Sequence, residues 1–229
     1  GGKILKSDRE IFGEYCFPGE PVHKEKITFQ DLLEYENVDF QGFRGDIYVK
    51  EAVIPEGASI IPKSQFFGCR SLEKVCLPES VSVIEDYAFA DCNVLKVWES
   101  MEKLSLKSVG ISAFENCYAL EFISLPDSLT VIEGAAFADC VSVNKLIFSD
   151  TSLLNKIGDH AFRGCRNLKE VYLPDSVEYV GISAFRDCVS LEQISVSEKI
   201  KDQPGIAELE KNCPNARIRF REVNSVEKE

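Results

Sequence analysis

Nine cysteines and two histidines are the residues of this chain best suited to chemistry, and their spacing argues against most of it. Six cysteines, Cys69, Cys92, Cys117, Cys140, Cys165 and Cys188, each follow a phenylalanine by three residues: Phe66, Phe89, Phe114, Phe137, Phe162 and Phe185. The phenylalanines are 23, 25, 23, 25 and 23 residues apart, and Cys213 extends the series 25 residues past Cys188. Such a recurrence puts each cysteine in the same slot of a repeating unit, with neighbouring side chains pointing the same way. Stacked strands lie about 4.8 Å apart, whereas a disulfide needs converging Cβ atoms about 3.8 Å apart. The expectation is a ladder of reduced, buried thiols acting as small hydrophobes. A zinc site needs paired ligands such as C-x2-C converging on one point, and no C-x2-C occurs.

The remaining candidates are weaker. Cys16 and Cys76 lie off the ladder. Cys76 shares a strand face with Lys74, the kind of cation that activates a thiol, but reads as an inert surface cysteine. His160 is close in sequence to Cys165. Its slot holds Tyr87, Ser112, Ala135 and Ser183 in other units, which marks a tolerant position, not a ligand or the base of a Cys–His dyad. His23 stands alone in the N-terminal flank. No G-x-S-x-G, H-E-x-x-H or Walker A segment is present. The carboxylates are scattered without an evident acid/base pair. No catalytic residue, metal or cofactor is expected, and the chain is read as a non-enzyme.

Bulk properties narrow the partners. With 38 acidic and 26 basic residues among 229, the net charge is -12. Nucleic acid and anionic membrane surfaces both call for a basic footprint. No apolar run approaches the ~18 residues of a membrane span, so direct membrane insertion is not expected. The chain opens Gly1-Gly2-Lys3 without an initiator Met. A native leader is therefore expected to have preceded it, which suits a secreted or cell-surface protein; a cytoplasmic location is the alternative.

The elements that position these residues follow from the period. Three residues after each ladder cysteine comes Leu72, Leu95, Leu120, Val143, Leu168 or Leu191. An L-x-x-V-x-L-P segment, clearest at Leu168 to Pro174, alternates like a short strand. Pro-Asp/Glu-Ser then turns the chain, V-x-x-I gives a second extended piece, and A-F-x-x-C forms a single helical or 3₁₀ turn with its Phe inward. One unit cannot bury its own apolar face, so the units must stack. Phe43, 23 residues before Phe66, marks an early copy with Asp46 in the cysteine slot. The unit "VWESMEKLSLKSVG" has two extra residues and no Leu-Pro, so its turn should bulge; "FSDTSLLNKIG" also lacks Leu-Pro.

The recurring LP-[DE]-S-V-x-x-I-x-x-x-A-F-x-x-C-x-x-L pattern resembles the BspA-like family of leucine-rich repeats over roughly four fifths of the chain. The resemblance implies a leucine-rich-repeat solenoid: short parallel strands on a concave face, turns and single helical or 3₁₀ turns on the other side, and caps at both ends. It also implies an extracellular adhesion or interaction role with a protein or glycan partner, and it carries over no catalytic residue. The chain divides into an N-terminal extension and cap (1–37), the repeat array (38–200), a C-terminal cap with a degenerate last repeat (201–220) and a polar tail (221–229). Helices are expected over 27–37, after Thr28, and over 204–213, followed by a strand in "ARIRF".

Strict alternation points the eighth and tenth residues after each anchor Phe outward on the concave sheet. These are Lys74 and Cys76, Val97 and Glu99, Phe122 and Ser124, Lys145 and Ile147, Glu170 and Tyr172, Gln193 and Ser195. The extra residues after Trp98 leave open the reverse register, with Trp98 outward. Phe122, Ile147 and Tyr172 suggest an apolar stripe flanked by Lys145 and Glu170, the kind of patch that marks an interaction site. Partner contacts are therefore expected at Glu99, Phe122, Ser124, Lys145, Ile147, Glu170 and Tyr172. The competing reading is a structural spacer in a larger surface protein, its stripe serving only cross-strand packing.

Overall fold

Alternating apolar residues before each Pro, and the apolar pair after it, give two strands per unit. In chain order the strands are β1 (Lys26–Ile27), β2 (Glu51–Val53), β3 (Ile60–Ile61), β4 (Lys74–Leu77), β5 (Val83–Ile84), β6 (Val97–Ser100), β7 (Ser108–Val109), β8 (Phe122–Ser124), β9 (Val131–Ile132), β10 (Lys145–Ile147), β11 (Lys156–Ile157), β12 (Glu170–Tyr172), β13 (Tyr179–Val180), β14 (Gln193–Ser197) and β15 (Arg217–Arg221). The structure, a computed structural model, describes residues 26–27, 43–100 and 104–222. Every strand pairing is parallel. One unit makes one coil, and each coil lies against the next.

Six of the two-residue strands form one unbroken sheet in the order β13-β11-β9-β7-β5-β3. The longer strands, joined by the two-residue β1, form a second layer in two pieces, β1-β2-β4-β6 and β15-β14-β12-β10-β8. The gap falls between β6 and β8, at the unit that lacks Leu-Pro and carries extra residues. The bulge expected there includes residues 101–103, outside the described residues. Where β6 joins the sheet, Val75 pairs in register with Trp98 and Lys74 with Val97.

The A-F-x-x-C segments close the third side as single turns with i→i+3 bonds, such as Cys92 N–H to Phe89 O at 3.2 Å and Cys140 N–H to Phe137 O at 3.4 Å. They do not extend into helix, because residues on both sides of the Phe are left-handed. Two residues before it, Ser64, Tyr87, Ser112, Ala135, His160 and Ser183 have φ between 51° and 59°. Two residues after it, Gly68, Asp91, Asn116, Asp139, Gly164 and Asp187 have φ between 57° and 73°. With left-handed residues at both ends of the turn, every second N–H group points to the same side, while the ones between bond back within the turn. Each turn then donates forward along the solenoid: Tyr87 N–H to Ile111 O at 2.9 Å, Phe89 N–H to Ala113 O at 2.7 Å and Asp91 N–H to Glu115 O at 2.8 Å. The same three bonds recur from Ser112, Phe114 and Asn116 to the next turn, and from Ala135, Phe137 and Asp139 to the one after.

Side chains add to this ladder. The rings of Phe43, Phe66, Phe89, Phe114, Phe137, Phe162 and Phe185 form one column, with centroids 5.1–5.6 Å apart and planes within 18°. Parallel rings at that separation are worth roughly 0.5–1.5 kcal/mol per pair beyond their burial. The serine of the Pro-Asp/Glu-Ser turn donates to a carbonyl of the preceding coil: Ser80 to Ala58 O at 2.8 Å, Ser128 to Leu106 O at 2.8 Å and Ser176 to Leu154 O at 2.7 Å.

The ends are built differently. Phe43 joins the ring column, and Asp46, in the cysteine slot, accepts from Tyr48 and Val49 N–H at 2.7 and 2.9 Å. The pairing of β1 with β2 was not foreseen. The helix expected within 27–37 lies outside the described residues apart from Ile27, which is in β1. At the other end come a 3₁₀ turn (Glu198–Ile200), then α1 (Pro204–Ala207) and α2 (Leu209–Asn212) where one helix over 204–213 was expected. The break between them at Glu208 has a use. The last turn has no following coil, and the Glu208 carboxylate accepts from Ser183 N–H at 3.2 Å and the Ser183 hydroxyl at 3.3 Å. The tail boundary needs correction by one residue. Arg221 was assigned to the polar tail but belongs to β15, because its guanidinium finds Tyr172, the Leu173 carbonyl and Asp175.

Close stacking of coils also fixes glycines. A Cβ on Gly181 would stand 2.3–2.6 Å from Asp159 Oδ1, Asp159 N and the Gly158 carbonyl carbon, whereas one on Gly134 would stand 3.4 Å from Asp159 O. Gly181→Ala is predicted to cost about 2 kcal/mol through overpacking of backbone. Gly134→Ala should stay within about 0.5 kcal/mol. Urea unfolding of the two variants checks this; equal losses would show that coil spacing does not set the requirement.

Candidate functional site

The thiol ladder is present and chemically quiet. Cys69, Cys92, Cys117, Cys140, Cys165, Cys188 and Cys213 are all buried and unpaired. Each thiol donates to the carbonyl of the previous coil's phenylalanine, for example Cys69 to Phe43 O at 2.8 Å, Cys140 to Phe114 O at 3.2 Å and Cys213 to Phe185 O at 3.0 Å. The sequence reading treated them as small hydrophobes, and the structure adds this donor role between coils. Burial pushes every one of these thiols above its ordinary pKa, Cys213 to about 11. A nucleophile needs the opposite shift. The Cys165 thiol donates to Phe137 O at 3.4 Å, not to His160. Among the described residues, no group of three His, Cys, Asp or Glu is placed to hold a metal ion.

The outward face of the longer-strand sheet holds the residues singled out for binding. Burial alternates exposed–buried–exposed along β8, β10 and β12. Phe122 is 44%, Ile147 37% and Tyr172 50% exposed. Register arranges the face in two rows. Phe122 pairs with Lys145, Lys145 with Glu170, Glu170 with Gln193 and Gln193 with Arg217. Ser124 pairs with Ile147, and Tyr172 with Ser195 and then Arg219. The same register sets Ile147 beside Tyr172, so the apolar stripe is not one straight row. Ile147 and Tyr172 are neighbours, Phe122 lies diagonal to them, and the Lys145–Glu170 pair runs alongside.

Two predicted positions depart from this arrangement. Glu99 pairs in register with Cys76 and so belongs to the other piece of the sheet, across the gap from Phe122. Ser195 was expected to face solvent but is only 2% exposed, and Ser197 is fully buried. Arg221 lies across this part of the face. Its guanidinium carbon sits 3.8 Å from the Tyr172 ring centroid, its Nη1 donates to the Tyr172 hydroxyl and its Nη2 pairs with Asp175 at 3.0 Å. In going from β15 to β12 the side chain passes over β14, where Ser197 is its register partner; Ser197 also caps the following 3₁₀ turn, accepting from Lys199 N–H. Sequence alternation alone could not have revealed a contact 49 residues distant.

Parallel coils of 23 to 25 residues, a continuous ring column and a face of alternating exposed side chains define a leucine-rich-repeat solenoid. More narrowly, the chain belongs to the BspA type leucine-rich-repeat family, whose six-copy region matches residues 10–143 and 100–205. Its fold is similar to that of a leucine-rich repeat protein from Bacteroides ovatus ATCC 8483, with 23% identity, a TM-score of 0.54 and coverage of 82% of this chain and 63% of that one. It is also similar to the pneumococcal vaccine antigen PcpA, with 27% identity, a TM-score of 0.58 and coverage of 66% and 41%. The chain thus spans less than two thirds of the length of either protein. No curated protein matches the sequence.

The raised thiol pKa values carry a sign. Unfolded thiols lose their protons above about pH 9 while the folded ones keep theirs, so the folded state binds more protons and stability falls as pH rises. The slope is up to about 1.4 kcal/mol per pH unit for each thiol. Stability by urea melts is predicted to be level through neutral pH and to drop steeply between pH 9 and 11. Cys140→Ala should reduce that slope by one thiol's share. A flat profile to pH 11 would contradict protonated burial of the ladder.

Proposed function

We propose that this chain is a noncatalytic interaction module that holds a protein or glycan partner on the concave sheet, in an adhesion-type protein of the cell surface. One observation carries the reading: Phe122 and Ile147 stand exposed beside Tyr172, which is itself half exposed although it holds Arg221, on three successive strands. Large apolar side chains grouped on a surface and edged by charge favour association, and aromatic residues are the usual anchors. Lys145 and Glu170 supply the polar edge, with Ser124 as a small neighbour. Family membership supports an interaction role. Among the described residues, no helix is long and apolar enough to cross a membrane.

The test is capture from extracellular-matrix proteins and mucosal glycans by the immobilised chain, beside Phe122→Glu with Tyr172→Glu. A glutamate at 172 would keep Arg221 in an ion pair, so the double variant should fold. Binding by the wild type with a loss of at least tenfold in the variant is the expected result. Unchanged affinity in a folded variant would overturn the assignment of this face. Failure of both chains to bind at concentrations where micromolar affinity shows would favour the spacer role.

A further inference from the structure

We propose that the outer edge of β15 takes up an extended segment of another protein, one with acidic side chains at alternate positions and apolar side chains between them. The two layers of the solenoid do not end together. The sheet of two-residue strands ends at β13, over which α1 packs, with Gly205 close against Gly181. The last turn ends on Glu208. The longer-strand sheet runs one strand further, and β15 pairs with β14 over all five of its residues. No described residue pairs with its other edge.

That edge has three properties that together specify an occupant. The first is open backbone. Arg217 N–H points to Glu192 O, 2.8 Å away on the β14 side. Alternation along a parallel strand then turns the N–H and C=O groups of Ile218 and Phe220 to the open side. The second is unfinished apolar cover. Ile218 and Phe220 pair in register with Ile194 and Val196, both fully buried, yet Ile218 is only partly buried and Phe220 is 45% exposed. An added strand would extend the core over them as each coil does for the one before.

The third property is charge. Arg217, Arg219 and Arg221 alternate along the outward face of β15 in a chain of net charge -12. Arg221 is engaged with Asp175 and Tyr172. Arg217 and Arg219 are exposed and form no ion pair with a described residue. These arginines reject a second copy of the same strand: an antiparallel pairing centred on Arg219 sets Arg219 against Arg219 and Arg217 against Arg221, and like charges directly opposite destabilise a sheet. Charge on an exposed edge is a common guard against self-association. The same guanidinium row favours a strand that brings carboxylates to it, with main-chain bonds giving affinity and alternate side chains giving selectivity.

The probe is a blocked hexapeptide alternating glutamate and valine, with a lysine–valine peptide as its counterpart, titrated calorimetrically into the intact chain. Amide hydrogen exchange is followed at Ile218 and Phe220. In the free protein those two amides should exchange fast, and the glutamate peptide should slow them at least tenfold. It should bind at least tenfold more tightly than the lysine peptide and weaken as salt rises from 0.15 to 0.5 M. Arg217→Glu with Arg219→Glu should reverse the peptide preference. Phe220→Pro, which removes an edge donor without touching a bond to β14, should weaken binding tenfold or more. Phe122→Glu should leave it unchanged, which separates this site from the sheet face proposed above. Equal binding of the two peptides, or none at millimolar concentration, would overturn the proposal. So would amides already protected in the free chain, since the edge would then be filled by the chain itself. A concentration-dependent dimer abolished by Phe220→Pro would assign the edge to a second copy and likewise overturn it.

Discussion

The constraint on which this structure rests is that each turn must offer its N–H groups forward at the place where the next turn offers its carbonyls. Right-handed turn geometry alone would direct those groups along the chain, as in a helix. The left-handed residues flanking each Phe turn them along the solenoid axis. The conformation costs on the order of 1 kcal/mol for an ordinary residue, and it recurs at Tyr87 and Ala135, where nothing in the side chain favours it. The forward bonds offset the cost: a buried N–H left unmet costs about 1–3 kcal/mol, and three per turn are met by the next coil. Once this relay holds the spacing, the rings must stack, the thiols must lie beneath the previous phenylalanine's carbonyl, and glycine is required wherever one coil's backbone crosses close above another.

The relay has a direction, and the two ends therefore need different chemistry. The first turn presents carbonyls outward and the last presents N–H groups. A carboxylate is the natural cap for the latter, and Glu208 supplies it from the break between α1 and α2. The position is the solenoid's counterpart of an anion at a helix N-terminus. Among the described residues, nothing closes the longer-strand sheet at β15 as Glu208 closes the last turn.

What was legible in the sequence follows from which interactions are side-chain specific. The Phe and Cys columns and the Leu-x-x-Val-x-Leu strands could be read because only certain residues fill a slot of fixed volume. The left-handed residue after each Phe left a trace too: it is Gly68, Asp91, Asn116, Asp139, Gly164 or Asp187, the types that tolerate positive φ. The one before it left none. Tyr87, Ser112, Ala135 and His160 share no chemistry, so a strict backbone requirement looked like a tolerant slot. The role of Arg221 was illegible for a different reason. Its contacts depend on the spacing of β15 and β12 in space, which no local pattern encodes.

The candidate face was legible as positions and not as an arrangement. Counting from the anchor Phe places Phe122, Lys145, Ile147, Glu170 and Tyr172 outward, because alternation from a buried anchor leaves no other choice. Counting cannot say which of them touch, since a two-residue shift in register separates neighbours from diagonals. It also cannot see that the sheet parts between β6 and β8, which detaches Glu99 from the rest. On the outward row of β8, β10 and β12, Phe122, Ile147 and Tyr172 are large apolar side chains left exposed. Tyr172 also receives the Arg221 guanidinium, which ties it to the end of the sheet. The coil rule fixes the inward half of each strand and leaves the outward half free, so the choice of large apolar residues at 122 and 147 is not one that the rule itself makes.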